Sequence, residues 1–143
     1  MWFELTTLLI PAYNDSEDEV ARQSDWIKEN LVSDVPLHFT AYHPDFKMRD
    51  VPATPASTLI RARSQALSRG LHYVYTGNVH DQTTQSTYCA GCGEVLIERD
   101  WYQLGKYRIQ DGACMSCQRP VAGRFDDEPG TWGPKRLPIV IGR

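Results

Sequence analysis

The sequence predicts an α/β fold, three parallel strands joined by two helices, followed by a small cysteine-marked β ribbon. Three observations carry this. Apolar runs alternate with helix-patterned segments from residue 2 to about 78. Four cysteines fall in two Cys-x-x-Cys pairs, at 89/92 and 114/117. Between the two regions, His80 to Thr87 is polar and holds little to bury, which reads as a linker.

The first apolar run, Trp2 to Ile10, ends at Pro11 and fits a strand buried on both faces of a parallel sheet. Ser16 and Glu19 then stand at capping-box spacing in an acidic helix start. Val20, Ser24, Ile27 and Leu31 follow at helical intervals, predicting a helix over 17–31. Pro36 to Tyr42 is a second strand. Thr54-Pro55 reads as a cap followed by proline at the first helical position, and Gly70 lies just past that helix's end. His72 to Thr76 is the third strand, closed by Gly77-Asn78. Strand–helix–strand–helix–strand implies two right-handed crossovers. Such a sheet has two open edges, so this region reads as a slice of a larger β/α architecture. The expected organisation is 1–79 for that slice, 80–87 for the linker, 88–122 for the ribbon and 123–143 for a loosely held tail.

Composition narrows the function classes. Hydrophobic residues make up 41% of the 143-residue chain and charged residues 23%, the balance of a globular protein. A net charge of −3 with scattered Lys and Arg argues against a general nucleic-acid binder. No apolar run approaches the roughly 20 residues of a membrane span, and the opening Met-Trp-Phe-Glu-Leu lacks a basic n-region. A cytoplasmic location is expected, where paired cysteines point to a metal before a disulfide.

Cys89, Cys92, Cys114 and Cys117 are the expected metal ligands. Each pair places two thiolates three positions apart, and Gly93 can take the positive φ that closes the first turn. Residues 93–113 between the pairs hold two segments, Glu94 to Glu98 and Tyr102 to Ile109, able to form a hairpin. Four thiolates with no open position describe a structural zinc ribbon, rubredoxin-like in form. Iron takes the same ligand set in rubredoxin-like sites, and disulfides would require an oxidising compartment.

In parallel β/α folds, ligands gather at the carboxyl ends of the strands. Here those ends carry Asn14 and Asp15, then His43 and Asp45, then Asn78. His43 can reach a ligand there, whereas His38, mid-strand between Leu37 and Phe39, reads as a satisfied core residue. Asp15 reads on position alone as a helix-entry carboxylate. Glu4, inside an apolar strand, requires a partner or a polar cavity.

As a set, several stretches resemble one family. They are Glu4 to Pro11, Asn14-Asp15, Val35 to Thr40, His43 to Met48, Val51-Pro52, Thr54-Pro55, Tyr73 to Tyr75, Gly77 to Val79 and Thr87 to Cys89. The family is the radical S-adenosylmethionine enzymes of the AmmeMemoRadiSam system, relatives of pyruvate formate-lyase activating enzymes. The resemblance runs from about residue 2 to 122 and covers the C-terminal half of such an enzyme. It implies a partial (β/α) barrel, with S-adenosylmethionine near the last strands and His43, Asn14 and Asp15 as cofactor-binding residues. The family's 4Fe-4S cluster is held by a C-x3-C-x2-C loop, a spacing this sequence does not contain. The chain is therefore expected to be inactive alone, with the missing N-terminal half-barrel or another protein as its partner. Ala12 stands where glycine is expected, and Gln118 likewise after Cys117.

Overall fold

The computed structural model describes residues 3–130. Three parallel strands, β1 (Leu5–Leu9), β2 (Leu37–Ala41) and β3 (Val74–Gly77), lie side by side in chain order. Leu5 is opposite Leu37, and Leu37 opposite Val74. Helix α1 (Glu17–Asn30) joins β1 to β2, and α2 (Ala56–Ser68) joins β2 to β3. One core lies under both helices: Leu9, Leu37, Phe39, Ala41 and Val74 from the strands meet Val20, Ile27, Leu59, Ala62 and Ala66. Both helices thus cover the same face.

Helix α1 starts as its sequence requires, with Ser16 Oγ accepting the Glu19 N–H at 3.2 Å. The return half of the expected capping box is replaced by a pair between the Glu19 carboxylate and Arg22. Buried Ser24 returns its hydroxyl to the Val20 carbonyl at 2.7 Å and leaves no unmet donor inside the core. At the end of α2, Gly70 takes a φ of 98°, the left-handed turn expected of it.

Of the apolar run expected as the first strand, Trp2 lies outside the described residues and Phe3 and Glu4 precede β1, whose burial alternates. The expectation of a strand buried on both faces fails because the helices cover only one. Leu9 is sealed, while Thr6 and Leu8 look out on the other side. His38 also departs from expectation. It lies on the helix-free face, outside the core, paired with Glu4 at 2.8 Å and stacked on Tyr75 with ring centroids 5.0 Å apart. The expectation that Glu4 needs a partner is met by the same contact.

Thr54 does not cap α2, whose cap position is Pro55 with no side-chain bond. Instead its buried hydroxyl donates to the Leu9 carbonyl at 2.6 Å and accepts the Tyr42 N–H at 3.0 Å, tying the carboxyl ends of β1 and β2. The proline at 55 already fixes the helical entry angle, which frees the threonine for this clamp.

The segment 80–87, expected as a linker, contains the single-turn helix α3 (Gln82–Gln85) and the start of β4 (Thr87–Tyr88). Hydroxyls do the packing here: Thr84, Ser86 and Thr87 are buried, and Thr84 is bonded to Thr76 of β3 at 2.5 Å. Beyond it, β4 pairs antiparallel with β5 (Val95–Asp100), which pairs with β6 (Gln103–Tyr107). A two-stranded ladder of β7 (Ile109–Gln110) and β8 (Ala113–Cys114) completes the cysteine region. Of the expected tail, residues 131–143 lie outside the described residues. Among the described residues no helix is long and apolar enough to cross a membrane.

Thr54→Val keeps the shape of the side chain and removes both clamp bonds. It is expected to lower unfolding free energy by about 2 kcal/mol in denaturant titration, since two buried backbone groups lose their partner. Stability equal to that of the parent chain would show that the clamp does not hold the strand ends.

Candidate metal centre

Two chain reversals with the same hydrogen-bond pattern bring the cysteines together. In the first, the Gly93 N–H bonds to the Cys89 carbonyl at 2.9 Å, and the Cys89 N–H to the Glu94 carbonyl at 2.8 Å. In the second, the Gln118 N–H bonds to the Cys114 carbonyl at 2.8 Å, and the Cys114 N–H to the Arg119 carbonyl at 2.9 Å. The offsets of four and five residues repeat. The residue at offset four has positive φ both times, 75° at Gly93 and 60° at Gln118. This gives a physical reason for glycine being expected at 118. Ala12, the other position where glycine was expected, is also left-handed with a φ of 66°.

The four sulfur atoms all lie within 4.8 Å of one another. Cys89 Sγ is 3.5 Å from Cys117 Sγ, and Cys92 Sγ is 3.7 Å from Cys114 Sγ. A tetrahedral ion with bonds of about 2.3 Å sets its sulfurs roughly 3.8 Å apart, so this spacing fits a tetrathiolate ion. It is far longer than a disulfide bond of about 2.05 Å. Four clustered cysteines therefore suggest a bound metal such as zinc. Cys89 and Cys114 are buried while Cys92 and Cys117 are exposed, so each pair gives one inner and one outer ligand.

The protonation states of the metal-free site differ across the cluster. Burial acts to raise the Cys89 thiol, but hydrogen bonds from the amides of Cys92 and Gly91 and from neighbouring thiols outweigh it and bring Cys89 down to about 7. At Cys92 the amide of Glu94 acts to lower the value, and the adjoining thiols with burial override it and push Cys92 up to about 12. One thiolate thus forms readily and crowds out the next, until a cation compensates their mutual repulsion.

Gly91 was not singled out by its spacing, yet it is constrained. A Cβ there would stand 2.9 Å from Arg119 Cδ and 3.6 Å from Cys117 Sγ. The ribbon core is anchored outside the ribbon as well. Tyr73, which precedes β3, packs with Cys89, Leu96, Ile97, Ile109, Cys114 and Val121.

The carboxyl-end residues Asn14, Asp15 and His43 each have a partner of their own. Asn14 Oδ1 accepts the Ile10 N–H at 2.7 Å, and its amide donates to the Leu8 carbonyl at 3.0 Å. Asp15 accepts the Ala12 N–H at 2.9 Å and steadies that left-handed residue. His43 follows β2, is exposed, and has its Nε2 3.5 Å from the Asn78 carbonyl.

Comparison with known proteins gives a homologue but no family. A Methanocaldococcus jannaschii protein, named uncharacterized protein MJ0808, is 46% identical over 99 residues, 69% of this chain. The chain spans 30% of that relative's length. No protein-family model matches, and no solved structure does.

Cys92→Ser is expected to abolish stoichiometric metal in elemental analysis and to melt residues 88–121, leaving the helical circular-dichroism signal of α1 and α2 largely intact. An unchanged melt with full metal content would overturn the four-ligand assignment. The two knuckles also invite a paired comparison. Gly93 has open space around its Cα, so Gly93→Ala meets only backbone strain and is expected to cost about 1 kcal/mol. Gln118→Gly relieves the same strain and is expected to cost nothing in the same thermal melts.

Proposed function

We propose that this chain is the C-terminal part of a radical S-adenosylmethionine protein of the glycyl-radical activating type, not catalytic by itself. The observation that carries the reading is the winding of the sheet. The strands run β1-β2-β3 in chain order with both helices on one face. Successive crossovers of one hand in one direction keep helices on one side, as a (β/α) barrel does, whereas a doubly wound sheet reverses order and covers both faces. The helix-free face then corresponds to a barrel interior, and it carries polar groups, Glu4, His38 and Thr40.

Residues 1–79 form the barrel portion in this reading, 80–87 the connection and 88–122 the ribbon. The ribbon holds a structural zinc, since all four sulfurs serve one ion and no coordination position stays open for a reactant. Iron is the alternative occupant. Because all four cysteines of the chain converge there, none is left for a 4Fe-4S cluster. S-adenosylmethionine would meet the carboxyl ends of the strands near His43, Asn14 and Asp15. The location would be the cytoplasm.

A second reading makes the chain a docking module for a complementing partner chain, and one edge of the sheet favours it. The Leu5 N–H bonds to the Pro36 carbonyl, so the alternate residues Thr6 and Leu8 turn their amides away from β2. Among the described residues no strand pairs with that side. Nucleic acid is disfavoured by the acidic balance.

Anaerobic treatment of the isolated chain with iron and sulfide is expected to give no 4Fe-4S absorption beyond any iron in the ribbon, and no 5′-deoxyadenosine. Release of that nucleoside would overturn the reading. Sequencing the DNA upstream of Met1 separates the two versions: an in-frame C-x3-C-x2-C segment supports the longer enzyme, and its absence supports the docking module.

A further inference from the structure

A cleft of about 560 Å³ lies between the helix-free face of the sheet and the ribbon hairpin. This is within the roughly 300–1,000 Å³ of small-molecule sites. Its walls concentrate the chain's aromatic residues: Tyr73 and Tyr75 from the sheet side, Trp101 and Tyr102 from the β5–β6 turn, and Phe125 beyond the second knuckle. Trp101 is 53% exposed and Tyr102 68%, so the hairpin wall offers open ring faces.

The polar groups of the cleft decide what chemistry suits it. Thr76, Asn78 and Gln85 are occupied with Thr84, Ala41 and Val79 respectively. Glu4 is engaged by His38. Arg99 differs. One guanidinium N–H bonds to Thr87 Oγ1 at 2.5 Å, and the group lies over the Tyr75 ring at 5.9 Å. Tyr75 Oη also contacts Thr87 Oγ1 at 3.0 Å, and burial pushes its phenol up, so that hydroxyl stays protonated. The arginine–carboxylate pairs among the described residues belong to Arg22, Arg61, Arg69 and Arg108, and Arg99 is in none of them. A guanidinium has five N–H donors in a planar fork, and Thr87 accepts from one of them here.

We propose that this cleft binds a planar aromatic monocarboxylate, its ring against Trp101 and its carboxylate in the Arg99 fork. A partly buried, pre-positioned guanidinium selects an anion, and the fork matches a carboxylate through two parallel bonds. The Glu4 carboxylate at the same cleft repels a second negative charge, which disfavours a phosphate dianion. Aromatic walls favour a flat ring over an aliphatic chain. The binding depends on the ribbon keeping Arg99 and Trp101 opposite the sheet, and does not depend on the radical-enzyme reading.

Calorimetric titration of the intact, metal-loaded chain tests this with three probes sharing one ring: 2-naphthoate, neutral 2-naphthamide and 2-naphthyl phosphate. The naphthoate is expected to bind saturably with one site, about tenfold or more tighter than the amide, and tighter than the phosphate. Arg99→Gln is expected to erase the preference for naphthoate over naphthamide, with Arg99→Lys restoring part of it. Trp101→Ala, at an exposed position that leaves the fold intact, is expected to weaken all three probes. No saturable binding of naphthoate, equal affinity for the amide, tighter binding of the phosphate, or unchanged binding by Trp101→Ala would each overturn the proposal. Should Arg99→Gln lose its native melt, the naphthoate-to-naphthamide ratio on the parent chain still decides.

Discussion

The carboxyl-terminal region is organised around four sulfur atoms that lie within 4.8 Å of one another, a spacing that suits one bound cation. The ladders β7–β8 and β4–β5–β6 are short, and the apolar residues beneath them are few: Leu96, Ile97, Ile109 and Val121 with two of the cysteines. Burial of so few side chains does not offset the conformational entropy of some thirty ordered residues. A metal held by the four thiolates would contribute roughly 10–16 kcal/mol of local folding free energy against that cost. The two knuckles are the backbone expression of this requirement, sharing one hydrogen-bond pattern and each turning through a left-handed residue.

The order of the cysteine ribbon extends into the parallel sheet through Tyr73. This residue is buried among ribbon side chains, while its carbonyl accepts the Leu37 N–H at 2.9 Å within the parallel sheet. One residue therefore belongs to both structures, and ordering one helps order the other. Tyr75, two positions on, does the same by hydrogen bond, reaching Thr87 of the ribbon sheet while its ring stacks on His38. The cleft with Arg99 and Trp101 exists because these tyrosines hold the hairpin against the sheet.

Much of this was legible in the sequence, and what was not has a common cause. The helices announced themselves by period and by Ser16 and Gly70, and the cysteine cluster by its spacing. Glycine expectations at Ala12 and Gln118 marked left-handed backbone even though other residues stand there. What escaped depends on contacts between distant positions. Thr54 looks like a cap beside Pro55, and only the approach of Leu9, forty-five residues away, makes it a clamp. His38 sits between Leu37 and Phe39, and its face is polar because no helix crosses it, a fact of topology that no local pattern carries. The polar run 80–87 offers little apolar surface, yet it buries three hydroxyls by bonding Thr84 to Thr76, Ser86 to the Gln82 carbonyl and Thr87 to Tyr75.

The two edges of the parallel sheet are treated differently, and the difference orients the molecule. At β3, Arg63 of α2 donates to the outward Val74 carbonyl at 2.9 Å, and the hydroxyls of Thr76 and Thr84 bond, so α2 and α3 both attach to this edge. Desolvation lowers the Arg63 pKa below its ordinary value while leaving the group a cation, which is the form this cap requires. At β1, the carbonyl of Leu8 is met by Asn14, while Leu8 itself is 43% exposed. An unpaired parallel edge with an exposed apolar residue is a template for another strand. Among the described residues α2 and α3 bond to the β3 edge, while no helix bonds to the outer side of β1, which leaves β1 the more open edge for a further strand. That addition would lengthen the helix-free face from the side opposite the ribbon, leaving the aromatic cleft at its far margin.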